Sequence, residues 1–168
     1  MFRRILVPLD GSSLAESILP HVAALAGCDD GEVLVLQVHI LPVYRYGMTD
    51  LAAFPLTPAE EESERRTALE YVQAVAERLA AEGIRARPLV RDGAVAETIL
   101  QTADDEGADL IAMSTHGRSG IARWLIGSDA NKVMHGAKVP VLLIRPLAQP
   151  YPNPKADAAA HAKHARTQ

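Results

Sequence analysis

The chain of 168 residues is 48% hydrophobic and 23% charged, a soluble globular composition in the size range of one domain with a real core. Its net charge of -4 excludes a general nucleic-acid binder, which needs a basic face, and its single cysteine, Cys28, excludes a disulfide framework or a thiolate metal cluster. No apolar run approaches the ~20 residues of a membrane span, and the opening stretch holds too short an apolar core for a secretory signal, so a reducing cytoplasmic setting is expected.

Residues 4–9 are a short apolar run that stops at Asp10-Gly11, the pattern of a buried strand ending in a turn. Ser13 and Glu16 then have capping-box spacing. Leu14, Ile18, Val22 and Leu25 fall on one helical face, and Gly27 closes that helix. Residues 32–38 are nearly all apolar, as expected of a strand covered on both faces in a parallel sheet. Residues 39–56 contain prolines, Tyr44, Tyr46 and Phe54 with no period. A connection this long reads as a flap over the sheet edge, a partner surface or a mobile segment.

Thr57 and Glu60 form a second capping box with Pro58 at the first helical position. The long helix that follows carries a stripe of Leu69, Val72, Val75, Ala76 and Leu79 and ends at Gly83. Residues 84–90 alternate apolar and basic side chains around Pro88, which places the strand at a sheet edge. Asp92-Gly93 turns into a helix with Val95, Ile99 and Ala103 inside, ending at Gly107. Residues 109–113 and 139–144 read as the fourth and fifth strands. Beyond Arg145 the composition shifts to Pro146, Pro150, Pro152 and Pro154 and then to alanine, lysine and histidine. The expected organisation is a domain over 1–146 and a tail over 147–168, extended and then mobile or weakly helical. His161 and His164 lie three apart in that tail, without the further ligands a metal site needs.

Strand and helix alternate five times with crossovers long enough for parallel connections. This predicts an α/β fold: a doubly wound five-stranded parallel sheet with helices on both faces and ligands outside the carboxyl ends of its strands. Asp10 and the loop after the fourth strand both lie at carboxyl ends. If the first and fourth strands are neighbours, the two flank one crevice.

Residues 113–128 are the most informative stretch. They begin at Met113 and Ser114, the end of an apolar run, pass through Gly117, Gly120 and Gly127, and reach Ser128 at the mouth of a helical pattern. A strand opening into a glycine-containing loop and a helix start builds an anion cradle, because glycine permits close approach and the first helical N–H groups are unpaired. The plainer reading is a strand-to-helix connection that the glycines merely turn. No lysine separates Gly127 from Ser128, which rules out a P-loop, and around Ser119 the second glycine comes one place too early for a nucleophile elbow. Arg118, Arg123 and Lys132 form a local basic cluster suited to a small anion.

The stretch 113–128, together with Ile5-Leu-Val-Pro-Leu-Asp10-Gly-Ser and Pro140-Val-Leu-Leu-Ile-Arg145, resembles the universal stress proteins over residues 1–145. The nucleotide-binding members carry Gly, two residues, Gly, nine residues, Gly, then Ser or Thr. Gly117, Gly127 and Ser128 match, and Ser114 stands at the first glycine. The resemblance implies strand order 3-2-1-4-5 and a site for an adenine nucleotide, ATP with Mg. Asp10 would lie near the ribose or its metal, and Pro8 and Val38 would wall the adenine pocket. Gly117, Gly127 and Ser128 would hold the phosphates, with Met113, Ser114, His116, Arg118 and Asp129 beside them. It also implies a homodimer paired through 139–144, with no nucleic acid and no membrane as partner, and a regulatory binding role in stress.

Other readings stay open. His116 as a loop hydrogen bonder, Ser128 as an ordinary N-cap and Trp124 as packing are the plain alternatives. A slow ATP hydrolase or self-phosphorylating protein would use Asp10-bound Mg and Ser128. A nucleotide-free interaction protein would follow if the Ser114 side chain and the Asp129 charge closed the pocket. Asp129 favours its helix start by ~0.3–1 kcal/mol and opposes a phosphate.

Overall fold

The computed structural model describes residues 2–26, 31–40, 57–115 and 127–145. Its elements in chain order are β1 (Arg4–Pro8), α1 (Ser13–Glu16), α2 (Leu19–Ala26), β2 (Glu32–His39), α3 (Pro58–Ala81), β3 (Arg85–Asp92), α4 (Val95–Asp105), β4 (Leu110–Ser114), α5 (Ser128–Gly136) and β5 (Val141–Ile144). The strands form one all-parallel sheet, as the sequence predicts, in the order β3-β2-β1-β4-β5 that the family resemblance implies.

Alternation along the strands divides the core between the two faces of the sheet. Ile5 and Val7 of β1, with Val33 and Val35 of β2, meet Val22 and Ala26 of α2 and Val72, Val75 and Leu79 of α3. Leu6, Leu34, Leu36, Leu89, Ile111 and Met113 face the other way, onto Ala96, Ile99 and Ala103 of α4 and Ala130 and Val133 of α5. Ile5, Leu6, Leu34, Leu36 and Ile111 are fully buried, and each such side chain contributes roughly 1.5–3 kcal/mol. The central strands read as continuous apolar runs because both faces are covered.

Three local expectations change. The first helix is split into α1 and α2 because Pro20, with no N–H, cannot donate to the Glu16 carbonyl. Its N-cap is Ser12, whose hydroxyl accepts from the Ala15 amide at 3.1 Å. Glu16 makes no capping box with Ser13 and instead accepts from Tyr71 at 3.0 Å and Arg78 at 2.5 Å, both on α3. Leu14 is consequently 37% exposed. On α3 the buried stripe is Ala68, Val72, Val75, Ala76 and Leu79, leaving Leu69 40% exposed. The Thr57–Glu60 capping box forms as read. Gly27, Cys28, most of 39–56, the glycine loop at 116–126 with Trp124, and the tail 147–168 lie outside the described residues.

Candidate functional site at the carboxyl ends of the central strands

The neighbouring strands β1 and β4 wind outward in opposite directions, and their pairing is short. Registered pairs join Ile5 to Leu110 and Leu6 to Ile111 and go no further. β1 stays paired to β2 out to Pro8–Leu36, and β4 stays paired to β5 out to Ser114–Ile144. The central seam therefore opens toward the carboxyl ends, at the point where the strand order reverses. Ligands of doubly wound sheets bind there.

Several predicted residues border this opening. Met113 belongs to the face covered by α4 and α5, and Val38 packs against the same cluster. Pro8 shares that face by alternation with Leu6. These three side chains stand on adjacent strands β2, β1 and β4 at one end of one face. Ser114 ends β4 and is buried, as is Thr115 beyond it.

Asp10 follows β1 in a tight turn. Its Oδ1 accepts from the Ser12 amide at 2.9 Å and from the Ser12 hydroxyl at 2.7 Å. Gly11, at φ 84°, supplies the left-handed backbone that folds Ser12 back onto Asp10. The Asp10 charge reaches Tyr71. Burial first, then the charge and hydrogen bond of Glu16, then Asp10, push that phenol well above the ordinary tyrosine range, against the opposing Arg78.

On the β4 side, the start of α5 faces the opening's rim. The N-cap is Gly127, with Ser128 as the first helical residue, and no side chain caps this end. The first helical hydrogen bond is Asn131 N–H to Gly127 C=O at 2.9 Å. Gly127 N–H donates to Thr115 C=O at 2.9 Å, which seats the helix start against the end of β4. A Cβ on Gly127 would come within 3.2 Å of that carbonyl oxygen, a tight contact that a side chain could enter only if the carbonyl gave way by a few tenths of an ångström. Asp129 lies in the first turn of α5. His116, Gly117 and Arg118 lie outside the described residues.

The arrangement fits an anionic ligand with a cation. Helical N–H groups at an uncapped N-terminus suit phosphate oxygens. A single carboxylate such as Asp10 suits Mg²⁺, which commonly takes one or two protein carboxylates and fills its shell with phosphate and water. Among the described residues no cluster of three His, Cys, Asp or Glu side chains is placed to hold a metal.

Two features escape a linear reading. Ser12 is one; the Asp-x-Ser spacing that permits a side-chain turn was its only signal. The other is the buried His39 at the end of β2. Its Nδ1 lies 3.1 Å from Asp92 Oδ1 on β3, and its Nε2 lies 3.5 Å from Glu64 Oε2 on α3. Arg65 pairs with the other Asp92 oxygen. This group ties β2, β3 and α3 together on the opposite face from Met113.

No helix among the described residues is long and apolar enough to cross a membrane. The pattern of the universal stress protein family matches residues 1–145. A universal stress protein of Thermus aquaticus is 36% identical over 148 residues, covering 86% of this chain and all of that one. The solved structure of protein MJ0577 of Methanocaldococcus jannaschii superposes with a TM-score of 0.69 at 26% identity, covering 89% of this chain and 99% of that one. A universal stress protein of Archaeoglobus fulgidus, solved in complex with dAMP, superposes with a TM-score of 0.59 at 24% identity, covering 84% and 96%. The chain belongs to the universal stress protein family.

Proposed function

We propose that this protein binds an adenine nucleotide, ATP with Mg²⁺, at the opening between β1 and β4, and that it acts as a regulatory binding protein in the stress response. The observation that carries the reading is the early end of the β1–β4 pairing at Leu6 and Ile111. The gap lies where the strand order reverses, the place at which doubly wound sheets take ligands. The dAMP complex of the Archaeoglobus relative supports the same ligand class.

In this reading Pro8, Val38 and Met113 offer an apolar wall to the base. Asp10 holds the cation or the ribose. The amides at the start of α5, the Ser128 hydroxyl, Gly117 and Arg118 take the phosphates, with Ser114 and His116 alongside. The chain's part is to bind and orient: Mg²⁺, when held by Asp10, neutralises phosphate charge, which offsets the nearby Asp129 carboxylate. The protein functions as a cytoplasmic homodimer, its two copies joined along β5, an edge strand whose four residues are all half-buried.

The deciding experiment denatures protein purified without added nucleotide and identifies what is released. It then follows ATP binding to stripped protein by calorimetry with Mg²⁺ or with a chelator. Released adenine nucleotide, or saturable heat that depends on Mg²⁺, is the expected result. An absence of both at millimolar ATP rejects the reading in favour of a nucleotide-free interaction protein.

A further inference from the structure

We propose that Ser12 is the positioning residue for Asp10, so that the carboxylate is held in one orientation before any ligand arrives. The inference rests on the nucleotide reading, and it concerns what makes that site preorganised. The Ser12 hydroxyl has a single hydrogen. Its oxygen already accepts the Ala15 amide at 3.1 Å, so the hydrogen is given to Asp10 Oδ1 at 2.7 Å. The Ser12 backbone amide adds a second donor to the same oxygen at 2.9 Å.

Both donors take Oδ1 and neither takes Oδ2. One carboxylate oxygen is thereby committed to the turn, and the side chain is held by two charge-assisted hydrogen bonds. The same hydroxyl caps α1, so one side chain serves both the start of that helix and the turn that holds Asp10. Gly11 at φ 84° makes the geometry possible. Holding a binding carboxylate in place beforehand lowers the ordering cost of the bound state.

A merely structural cap and a positioning residue separate in a mutant cycle. Ser12→Thr keeps the hydroxyl. Ser12→Gly removes it while leaving a tolerable helix N-cap. Calorimetry with ATP and Mg²⁺ is expected to show Ser12→Thr near wild type and Ser12→Gly weakened about tenfold, with thermal midpoints close together. In an Asp10→Asn background, Ser12→Gly should cost little more, because the two act as one unit. Fully additive losses overturn the proposal, as does a Ser12→Gly protein that binds like wild type. Crystal structures of the ligand-free variants give a second readout: Asp10 should keep its χ1 in Ser12→Thr and leave it or spread over several rotamers in Ser12→Gly. A single unchanged rotamer in Ser12→Gly overturns the inference. If wild-type protein binds no nucleotide, the functional reading fails, and the rotamer result still decides whether Ser12 positions Asp10.

Discussion

Gly127 gives its amide hydrogen to the Thr115 carbonyl at 2.9 Å, and its missing side chain leaves that oxygen only 3.2 Å from where a Cβ would sit. The start of α5 is thus seated on the end of β4 by one backbone contact that permits glycine alone without a shift.

Gly127→Val is therefore expected to displace the first turn of α5. Forcing atoms into a packed contact costs roughly 1–3 kcal/mol. The thermal midpoint should fall by several degrees and, on the proposed function, ATP affinity by a larger factor than stability alone accounts for, since the amides proposed to take the phosphates move with the helix. Unfolding scans and calorimetry on the same preparation check both. An affinity equal to wild type would remove α5 from the site.

Tyr71 predicts a feature of the alkaline limb. Its phenol is held above the ordinary range by burial and by the Glu16 and Asp10 charges, so the unfolded chain ionises it first. The unfolded state then binds fewer protons than the native state, and stability is complete below about pH 10 and falls as pH rises beyond it. Tyr71→Phe removes that dependence. It should also lose about 1 kcal/mol at neutral pH from the missing bond to Glu16. Denaturant melts at pH 8 and above pH 10 measure the difference. A Phe variant whose loss on going alkaline equals that of wild type contradicts the assignment.

The dimer is tested on its backbone. The carbonyls of Pro140 and Ile144 accept from Ile111 and Thr115, so these residues face β4. Alternation directs the N–H groups of Val141 and Leu143 to the outer edge. Leu143→Pro deletes one outward donor and leaves the β4 ladder its hydrogen bonds. Light scattering should report the mass of two chains for wild type and of one for the variant, with an unchanged far-ultraviolet spectrum. A wild-type monomer, or a variant still paired, excludes this edge.

The alternation of strand and helix was legible because the buried strands are nearly continuous apolar runs, with Gln37 the polar residue inside β2. Pro88 marked the β3 edge because a proline is tolerated where its missing donor is not needed. The split between α1 and α2 was also present in the residues, at Pro20, but the apolar spacing of Ile18, Val22 and Leu25 ran straight across it. The glycine at 127 was legible as a glycine, whereas its reason, a carbonyl from the preceding strand, appears only in three dimensions. Ser12 displaced Ser13 as the cap because the Asp10 side chain competes for the turn, a contest that helix-start patterns do not score. His39, drawn to Asp92 and Glu64 from two other elements, had no local signal at all.

The β1–β4 seam, two registered pairs beside the five joining β1 to β2 and the four joining β4 to β5, divides the sheet into two wings. β3, β2 and β1 form one wing and β4 and β5 the other. Whatever wedges between the wings bears on both at once, and the far margin of the smaller wing is β5, the strand through which two copies would meet. In the proposed arrangement the cleft and the pairing edge are separated by β4 alone.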